Sequence, residues 1–379
     1  MKPISRRALL SAGAVGAAGV VSAPIWSEGF LAARAWGPVG DDERSRMVWL
    51  NSNENPYGPC VRAREAIERF AAQAGRYPYE PHGQLIERLA GLHGVSNDMI
   101  VLGNGSSEVL RMAAAAFLQP GKTLVLAEPT YEAPSSYARL AGAEVKKVPL
   151  TQDFRHDVKA MAAVAAAARE TGLVYVCNPN NPTASLTPGE DVAALMVALP
   201  RGAVLLVDEA YYHFVDSPAY QSALRHVEAG KDVVVSRTFT KIYGLAGLRI
   251  GYAVARRDLA ERLRRHAQHL NTNLLGLRAA LASLEDSELV PRTRELNARA
   301  RRVVSDWLDR QRIRYAPSSA NFLFFHTGRE IGELIGAMRQ RGVAVGRPFP
   351  PLTEWMRLTV GTEEEMRRFL KAYQEVYRG

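Results

Sequence analysis

Residues 203–210 read AVLLVDEA, an unbroken apolar run that ends in two acidic residues. Similar runs stand at 123–128, 173–178 and 232–238, and helical patterns lie between them, such as the alanine-rich stretch at 158–169. Strands whose consecutive side chains are apolar are buried on both faces, which is typical of a parallel sheet covered by helices. The sequence therefore predicts an α/β fold with a mainly parallel sheet.

Seven segments have the composition of strands of this sheet. They are 99–103, 123–128, 145–150, 173–178, 203–210, 232–238 and 248–255. We assign them to a large domain at 80–270. Beyond it the sequence changes to charged helical patterns and short strands, so we expect a smaller α+β domain at 271–379, joined by the N-terminal segment 36–79. Its final helix opens with Thr362 and Glu365 at the spacing of a capping box.

The composition is that of an ordinary globular protein. The chain has 379 residues, 48 of them basic and 39 acidic, and a formal net charge of +9. The densest basic run begins at Arg256 and has helical spacing with interleaved acids, which indicates a solvated helix face rather than a nucleic-acid surface. The two cysteines, Cys60 and Cys177, have no metal-ligand spacing, so we expect two buried thiols and no metal site.

Residues 1–35 have the pattern of an export signal. Arg6 and Arg7 precede an uncharged stretch rich in Gly and Ala at 8–25, and 33–35 fits a cleavage site. Paired arginines before such a stretch resemble a twin-arginine signal. The alternative is a membrane anchor, although the stretch is short for a bilayer span. We expect export to the periplasm or beyond, with only transient membrane contact through the signal, and a cytoplasmic protein if the signal does not function.

A glycine turn follows the first strand of the sheet. Residues 101–110 read VLGNGSSEVL, in which Gly105 makes the turn and a helix begins near Ser106. The exposed N–H groups of a helix N-terminus bind anions, phosphate above all, although an ordinary strand-to-helix turn has the same pattern. Glu108 stands where a dinucleotide fingerprint needs glycine, which excludes that class. The sequence also argues against a P-loop, because Gly121-Lys122-Thr123 precedes a strand instead of a helix.

Residues 236–251 read SRTFTKIYGLAGLRIG and place Lys241 close in sequence to two hydroxyls, those of Thr238 and Thr240, and to the guanidinium of Arg249. These groups bind a phosphate, and a nearby arginine helps to keep a lysine amine neutral, as a Schiff-base lysine must be. Asp208 ends a buried strand, where its charge needs a positive partner such as a pyridinium nitrogen. Together these features predict a pyridoxal 5'-phosphate pocket at the carboxyl ends of the strands.

Eight motifs extend this pattern over the chain. They are NENPYGP (53–59), GNGSSE (103–108), EPTYE (128–132), NPNNPT (178–183), DEAYYHF (208–214), SRTFTKIYGLAGLRIGY (236–252), PSSANFLFF (317–325) and MRLTVGTEEE (356–365). In this order they resemble the fold-type-I pyridoxal-phosphate aminotransferases of classes I and II, in the branch of the histidinol-phosphate aminotransferases. The resemblance implies the aspartate aminotransferase-like fold of the PLP-dependent transferases and a homodimer.

The resemblance also implies a role for each matching residue. Lys241 would form the Schiff base and move the proton, and Asp208 would keep the pyridine nitrogen protonated. The remaining cofactor residues would be Gly105, Ser106, Ser107, Tyr131, Asn181, Tyr211, Thr238, Thr240, Arg249 and, from the partner subunit, Tyr57. Tyr131 would stack on the ring, and Tyr211, counted with the catalytic residues, would hold its phenolic oxygen with Asn181. Arg357 and Arg347 would bind the substrate.

Two departures from the branch bear on the substrate. The segment GPVGDDERSRMVWL (37–50) replaces a Tyr-x-Pro-Gly element that helps to bind a substrate phosphate, and Arg347 comes one place late in its motif. We therefore expect an aminotransferase that acts on an amino acid, or a related amine, and a 2-oxo acid. The alternatives are a histidinol-phosphate aminotransferase proper, a decarboxylase of the threonine-phosphate type, and a non-catalytic protein that binds the cofactor.

Overall fold

The computed structural model describes residues 46–378, so the predicted export signal at 1–35 lies outside the described residues. The strands are β1 (Val48–Leu50), β2 (Ile100–Asn104), β3 (Thr123–Glu128), β4 (Glu144–Pro149), β5 (Thr171–Cys177), β6 (Val204–Asp208), β7 (Val233–Thr238), β8 (Ile250–Ala255), β9 (Tyr315–Ala316), β10 (Phe322–His326), β11 (Val343–Val345) and β12 (Trp355–Thr359). The helices are α1 (Val61–Phe70), α2 (Tyr79–His93), α3 (Ser106–Phe117), α4 (Ala133–Leu140), α5 (Val158–Ala167), α6 (Gly189–Ala198), α7 (Leu224–Glu228), α8 (Arg257–Arg264), α9 (Leu274–Leu284), α10 (Leu289–Arg310), α11 (Ile331–Gln340) and α12 (Glu363–Arg378).

The predicted seven-stranded sheet is confirmed. Its order is β2-β8-β7-β6-β5-β3-β4, in which β8 runs antiparallel to both of its neighbours and the other neighbouring pairs are parallel. Strands β5 to β8 are buried along their whole length, as their unbroken apolar sequences predict. The α/β fold class with a mainly parallel sheet is therefore correct.

Helices cover both faces of this sheet and create two hydrophobic clusters. Because successive side chains of a strand point to opposite faces, β5 contributes Val174 and Val176 to one cluster and Leu173, Tyr175 and Cys177 to the other. Asp208 in β6 is the register partner of Cys177 in β5, so its side chain points to the same face of the sheet as Tyr175 and Cys177. The carboxylate therefore leaves the sheet on the face that carries Tyr175.

A second body is built from both ends of the described chain. The three-stranded antiparallel sheet β12-β10-β9 and the parallel pair β1-β11 pack with α10, α11 and α12 around a separate hydrophobic cluster. The capping box predicted for α12 is confirmed: Thr362 N–H donates to Glu365 Oε2 at 2.7 Å, and Glu365 N–H donates to Thr362 Oγ1 at 3.2 Å. Helix α9 packs against α1 and the first cluster. The predicted domain bounds, 80–270 and 271–379, stay a prediction.

Between residues 46 and 378, no helix combines the length and the apolar character that a membrane span requires.

Candidate active site

A cavity of about 480 Å³ lies where the carboxyl ends of β5 and β6 meet the β11–β12 segment. This volume is in the range of small-molecule sites. The predicted site residues that line it are Ser106, Ser107, Tyr131, Asn181, Asp208, Tyr211, Thr240, Lys241, Arg249, Arg347 and Arg357. A larger and more open surface cavity, about 790 Å³, lies among α1, α2 and α9, where side chains such as Arg62 and Glu285 pair with each other.

The glycine turn and Arg249 form one anion cradle. Gly105 has φ of +75° and precedes α3, whose first residues Ser106 and Ser107 line the cavity. A Cβ at position 105 would lie 2.3 Å from Arg249 Nη2, and a Cβ at Gly251 would lie 2.3 Å from Ser106 N. Both positions therefore require glycine, so that the guanidinium and strand β8 can approach the helix N-terminus.

The two predicted threonines stand one behind the other. Thr240 lines the cavity, whereas Thr238 does not. The Thr238 hydroxyl lies 3.0 Å from Thr240 Oγ1 and 3.2 Å from the Ile250 carbonyl oxygen, and Thr240 N–H donates to Thr238 Oγ1 at 3.2 Å. Thr238 is therefore placed to orient Thr240 from behind the cavity wall.

Asp208 lines the cavity with a buried carboxylate that has one unpartnered oxygen. Its side chain is buried, Oδ2 accepts a hydrogen bond from the Tyr175 hydroxyl at 3.1 Å, and Oδ1 has no hydrogen-bond partner. Burial raises the pKa of this carboxyl from 3.8 to about 6, against the opposing effects of the Tyr175 hydroxyl and the Ala210 N–H. A buried oxygen without a donor fits a ring nitrogen that carries a proton.

Lys241 reaches the same cavity from the β7–β8 connection. Its Nζ donates to the carbonyl oxygens of Asn53 at 3.2 Å and Ser52 at 3.4 Å, and it lies 5.6 Å from the centre of the Tyr211 ring. The pKa of Lys241 is lowered from 10.5 to about 8, mainly by burial, with the charges of Arg357 and Arg249 acting in the same direction. The predicted influence of an arginine is therefore present, although burial is the larger cause.

The aromatic wall is held by hydrogen bonds. Asn53 Nδ2 donates to the Tyr211 hydroxyl at 3.1 Å, and the Tyr211 ring packs edge-on against Phe322. Burial raises the pKa of Tyr211, so its hydroxyl stays protonated and available as a donor. Tyr131 also lines the cavity; burial raises its pKa, and a hydrogen bond with Ser107 acts in the opposite direction.

Arg357 enters the cavity from β12 in the second body. Its Nη1 donates to Asn181 Oδ1 at 2.8 Å, its Nη2 donates to the Asn51 carbonyl oxygen at 2.6 Å, and its Nε has no partner. These partners carry no net charge. Burial lowers the pKa of the guanidinium to about 10. Arg357 therefore holds a positive charge with no carboxylate bound to it.

Arg347 also lines the cavity, but it is already paired. Its Nη2 donates to Glu132 Oε2 at 2.6 Å, and its Nη1 donates to the Pro348 carbonyl oxygen at 2.8 Å. The predicted binding of substrate by Arg347 stays a prediction.

Tyr57 stands apart from the other predicted residues. It is 41% exposed and does not line the cavity of its own chain. Its predicted role in the cavity of a partner subunit requires a second copy of the chain, and this role stays a prediction.

Several contributors were not singled out by the sequence, among them Asn53, Tyr175, Glu132 and Phe349. Asn53 and Glu132 lie inside motifs that were recognised, whereas the polar end of Tyr175 is hidden within an apolar strand. Both cysteines are free and buried, as predicted, and Cys177 borders the cavity. The described residues, 46–378, contain no group of acidic, His or Cys side chains able to hold a metal.

A lysine amine with a lowered pKa, a buried carboxylate and an anion cradle are the groups that pyridoxal phosphate requires of a protein. On this fold they define the fold-type-I class of pyridoxal-phosphate enzymes. Residues 45–372 match the family described as aminotransferase class I and II, and the chain belongs to that family. It is a pyridoxal-phosphate-dependent aminotransferase.

Similar proteins agree with this assignment. The histidinol-phosphate aminotransferase of Symbiobacterium thermophilum is 40% identical over 341 residues, which cover 88% of this chain and 93% of that protein. The enzyme of the same name from Moorella thermoacetica is 37% identical over 87% of this chain and 85% of its own length. The crystal structure of histidinol-phosphate aminotransferase from Sinorhizobium meliloti, in complex with pyridoxal-5'-phosphate, is similar with a TM-score of 0.81 and 26% identity; the match covers 94% of this chain and 99% of that one.

Proposed function

We propose that this aminotransferase moves the amino group of an α-amino acid to a 2-oxo acid, with Lys241 as the residue that holds the cofactor and transfers the proton. The observation that supports it is the joint placement of Lys241 Nζ, the unpartnered Asp208 Oδ1 and the Arg357 guanidinium on one cavity. The lysine amine and the aspartate are the groups that the cofactor needs, and the arginine is a receptor for the carboxylate of the substrate.

The cofactor, when bound, supplies an electron sink for negative charge that develops at the substrate α-carbon. Asp208 Oδ1 would accept the hydrogen bond of the ring nitrogen, and its charge would favour the protonated form of that nitrogen. The N-terminus of α3 and Arg249 would bind the phosphate. Tyr211, oriented by Asn53, would donate to the phenolic oxygen together with Asn181.

Lys241 acts as the proton carrier. The lowering of its pKa from 10.5 to about 8 increases the neutral fraction of the amine near neutral pH, and a base that removes the α-proton must be neutral. Arg357 binds the substrate carboxylate and thereby holds the α-carbon within reach of Lys241. The Tyr131 ring, which lines the cavity, would stack on the cofactor and exclude water from that side.

The first test is the replacement of Lys241 by alanine. Protein purified with the cofactor should lose its visible absorption band and its amino-transfer activity, while Lys231→Ala, at an exposed position outside the cavity, should keep both. A Lys241→Ala protein that kept the band would remove Lys241 from this role.

We also propose that the active site is completed in a homodimer by Tyr57 of the partner subunit. Tyr57 is exposed, and so are Tyr77, just before α2, and Tyr79, its first residue, at 79% and 63%. Mixed dimers of a Lys241→Ala chain and a Tyr57→Phe chain provide the test. They contain one site with both natural residues if Tyr57 acts across the dimer, and they should recover activity that neither parent has in full; no recovery contradicts the proposal.

A second candidate is transfer from histidinol phosphate, which the names of the similar proteins favour. A panel of single donors, histidinol phosphate among them, with pyruvate and 2-oxoglutarate as acceptors separates the two candidates. Carbon dioxide release from a donor without any 2-oxo acid would identify a decarboxylase instead.

The proposed export rests on residues 1–35 alone, and full-length protein with Met1 intact in the cytosolic fraction would contradict it.

A further inference from the structure

The charged residues that line the cavity divide into those that the proposed function assigns to the cofactor and those that remain for the substrate. The charged lining residues are Glu132, Asp208, Lys241, Arg249, Arg347 and Arg357. Asp208, Lys241 and Arg249 face the cofactor in the function proposed above. The other three, two arginines and one glutamate, remain for the substrate.

These two arginines have different partners. Arg357 donates only to neutral oxygens, the amide of Asn181 and the carbonyl of Asn51, at 2.8 and 2.6 Å. Arg347 donates to the carboxylate of Glu132 at 2.6 Å, and both members of this pair are less than half exposed. A partly buried ion pair cancels most of its own field. Only Arg357 therefore presents an uncompensated positive charge to a substrate.

The ion pair lies directly beside the place where a carboxylate would bind. The Cζ atoms of Arg347 and Arg357 lie 4.2 and 4.8 Å from the centre of the same Phe349 ring. Glu132 is also close enough to act on Arg357, since its charge raises the pKa of that guanidinium. The neighbouring cavity wall on α4 is uncharged, with Ala133, Ser136, Tyr137 and Leu140.

We propose that Glu132 restricts this aminotransferase to substrates with a single anionic group and an uncharged side chain, because it neutralises Arg347. A dicarboxylic amino acid, or an amino acid with a phosphorylated side chain, brings a second anionic group to this end of the cavity. That charge must either face the Glu132 carboxylate or displace it from Arg347, and both cost binding free energy. A substrate with one carboxylate needs only Arg357.

The inference rests on the proposed function, and the test is the variant Glu132→Gln. In the holoenzyme, the rate of conversion of the cofactor band by each donor alone should be measured with alanine and phenylalanine against aspartate, glutamate and O-phosphoserine. The wild type should prefer the first two. Glu132→Gln should raise the ratio of kcat/KM for the doubly anionic donors to that for the singly anionic ones by at least about tenfold.

Two further variants act as controls. Glu128→Gln changes a carboxylate four residues away that pairs with Lys147 and does not line the cavity, so it should leave the ratio unchanged. Adding Arg347→Gln to Glu132→Gln should remove the gain, since the freed guanidinium is its cause. A gain that persists in the double variant overturns the proposal.

A binding measurement tests the role of Glu132 without depending on the catalytic reaction. Calorimetry with succinate and butyrate on the holoenzyme compares a dianion with a monoanion of the same chain length. Wild type should bind butyrate more tightly, and Glu132→Gln should shift the ratio of the dissociation constants at least about tenfold toward succinate. Wild type that prefers succinate, or an unchanged ratio in the variant, overturns the role of Glu132. Failure of the proposed function is distinguishable, because it is read from the Lys241→Ala band.

Discussion

Replacing Asp208 by asparagine should make the cofactor-free protein more stable. The carboxylate is buried, and its rise in pKa from 3.8 to about 6 means that ionising it in the folded state costs about 3 kcal/mol more than in the unfolded state, at about 1.4 kcal/mol per pKa unit. Asparagine keeps the shape and can still accept from the Tyr175 hydroxyl, which bonds Oδ2 at 3.1 Å. The variant removes only the charge that the empty fold leaves without a partner.

The sign of the effect depends on pH. A carboxyl whose folded pKa is raised contributes stability that is fully present below its unfolded pKa of 3.8 and is lost as the pH rises through its folded pKa of about 6. The advantage of Asp208→Asn should therefore be about 3 kcal/mol at about pH 8, about half of that near pH 5, and absent below about pH 4. Tyr175→Phe removes the hydroxyl that favours the ionised form, so it should move the midpoint of this profile to higher pH.

Urea unfolding of apoprotein, followed by tryptophan fluorescence at several pH values, measures these differences. With saturating pyridoxal phosphate the order should reverse, because the cofactor stabilises the wild type by binding to a charge that the variant lacks. The reasoning is refuted if Asp208→Asn destabilises the apoprotein at about pH 8, or if its gain is the same at about pH 4.

Two other substitutions test the frame of the site. Glu209→Gln leaves the buried charge of Arg237, now paired at 2.8 Å, without its counter-ion and should lower the free energy of unfolding by about 3–5 kcal/mol, read from urea midpoints. Gly105→Ala should weaken pyridoxal phosphate binding by at least about tenfold, measured as a dissociation constant, because its Cβ would displace Arg249. Gly121→Ala has a similar positive φ but no atom within 4 Å, so it is the control for backbone strain; equal cofactor affinities of the two variants would contradict the role of the contact.

The strands of the large sheet were predictable because their apolar sequences are unbroken. Strand β3 was predicted with its exact bounds at 123–128, and the other six strands differ from prediction by one or two residues at most of their ends. Strands β1 and β9 were missed, since three and two residues are too few to show a periodic pattern. Strand β1 is positioned by pairing with β11, which is distant in sequence, and β9 by pairing with β10, which follows it closely along the chain.

The site was predictable where function and strand ends coincide. Asp208 ends β6, Lys241 follows β7, and Arg249 precedes the antiparallel β8. All three therefore lie at the edge of the sheet where the parallel strands end. The pair of Glu132 and Arg347 was not predictable in this way, since 215 residues separate its members and they approach only when the second body packs on the first. Tyr175 was hidden for a different reason: a buried strand residue is read as packing unless its hydroxyl is known to have a partner.

The adjacent acids Asp208 and Glu209 show what such a sheet does with charge. They point to opposite faces, so Asp208 meets Tyr175 and an open cavity, whereas Glu209 meets Arg237 and the hydroxyl of Ser222. The fold itself neutralises Glu209 and leaves Asp208 for a cation that arrives with the ligand. Removing the two charges one at a time should therefore change the stability of the apoprotein in opposite directions at about pH 8. If both variants changed the stability of the apoprotein in the same direction, Asp208 would be a structural acid. The cost of burying its charge would then have no connection with cofactor binding.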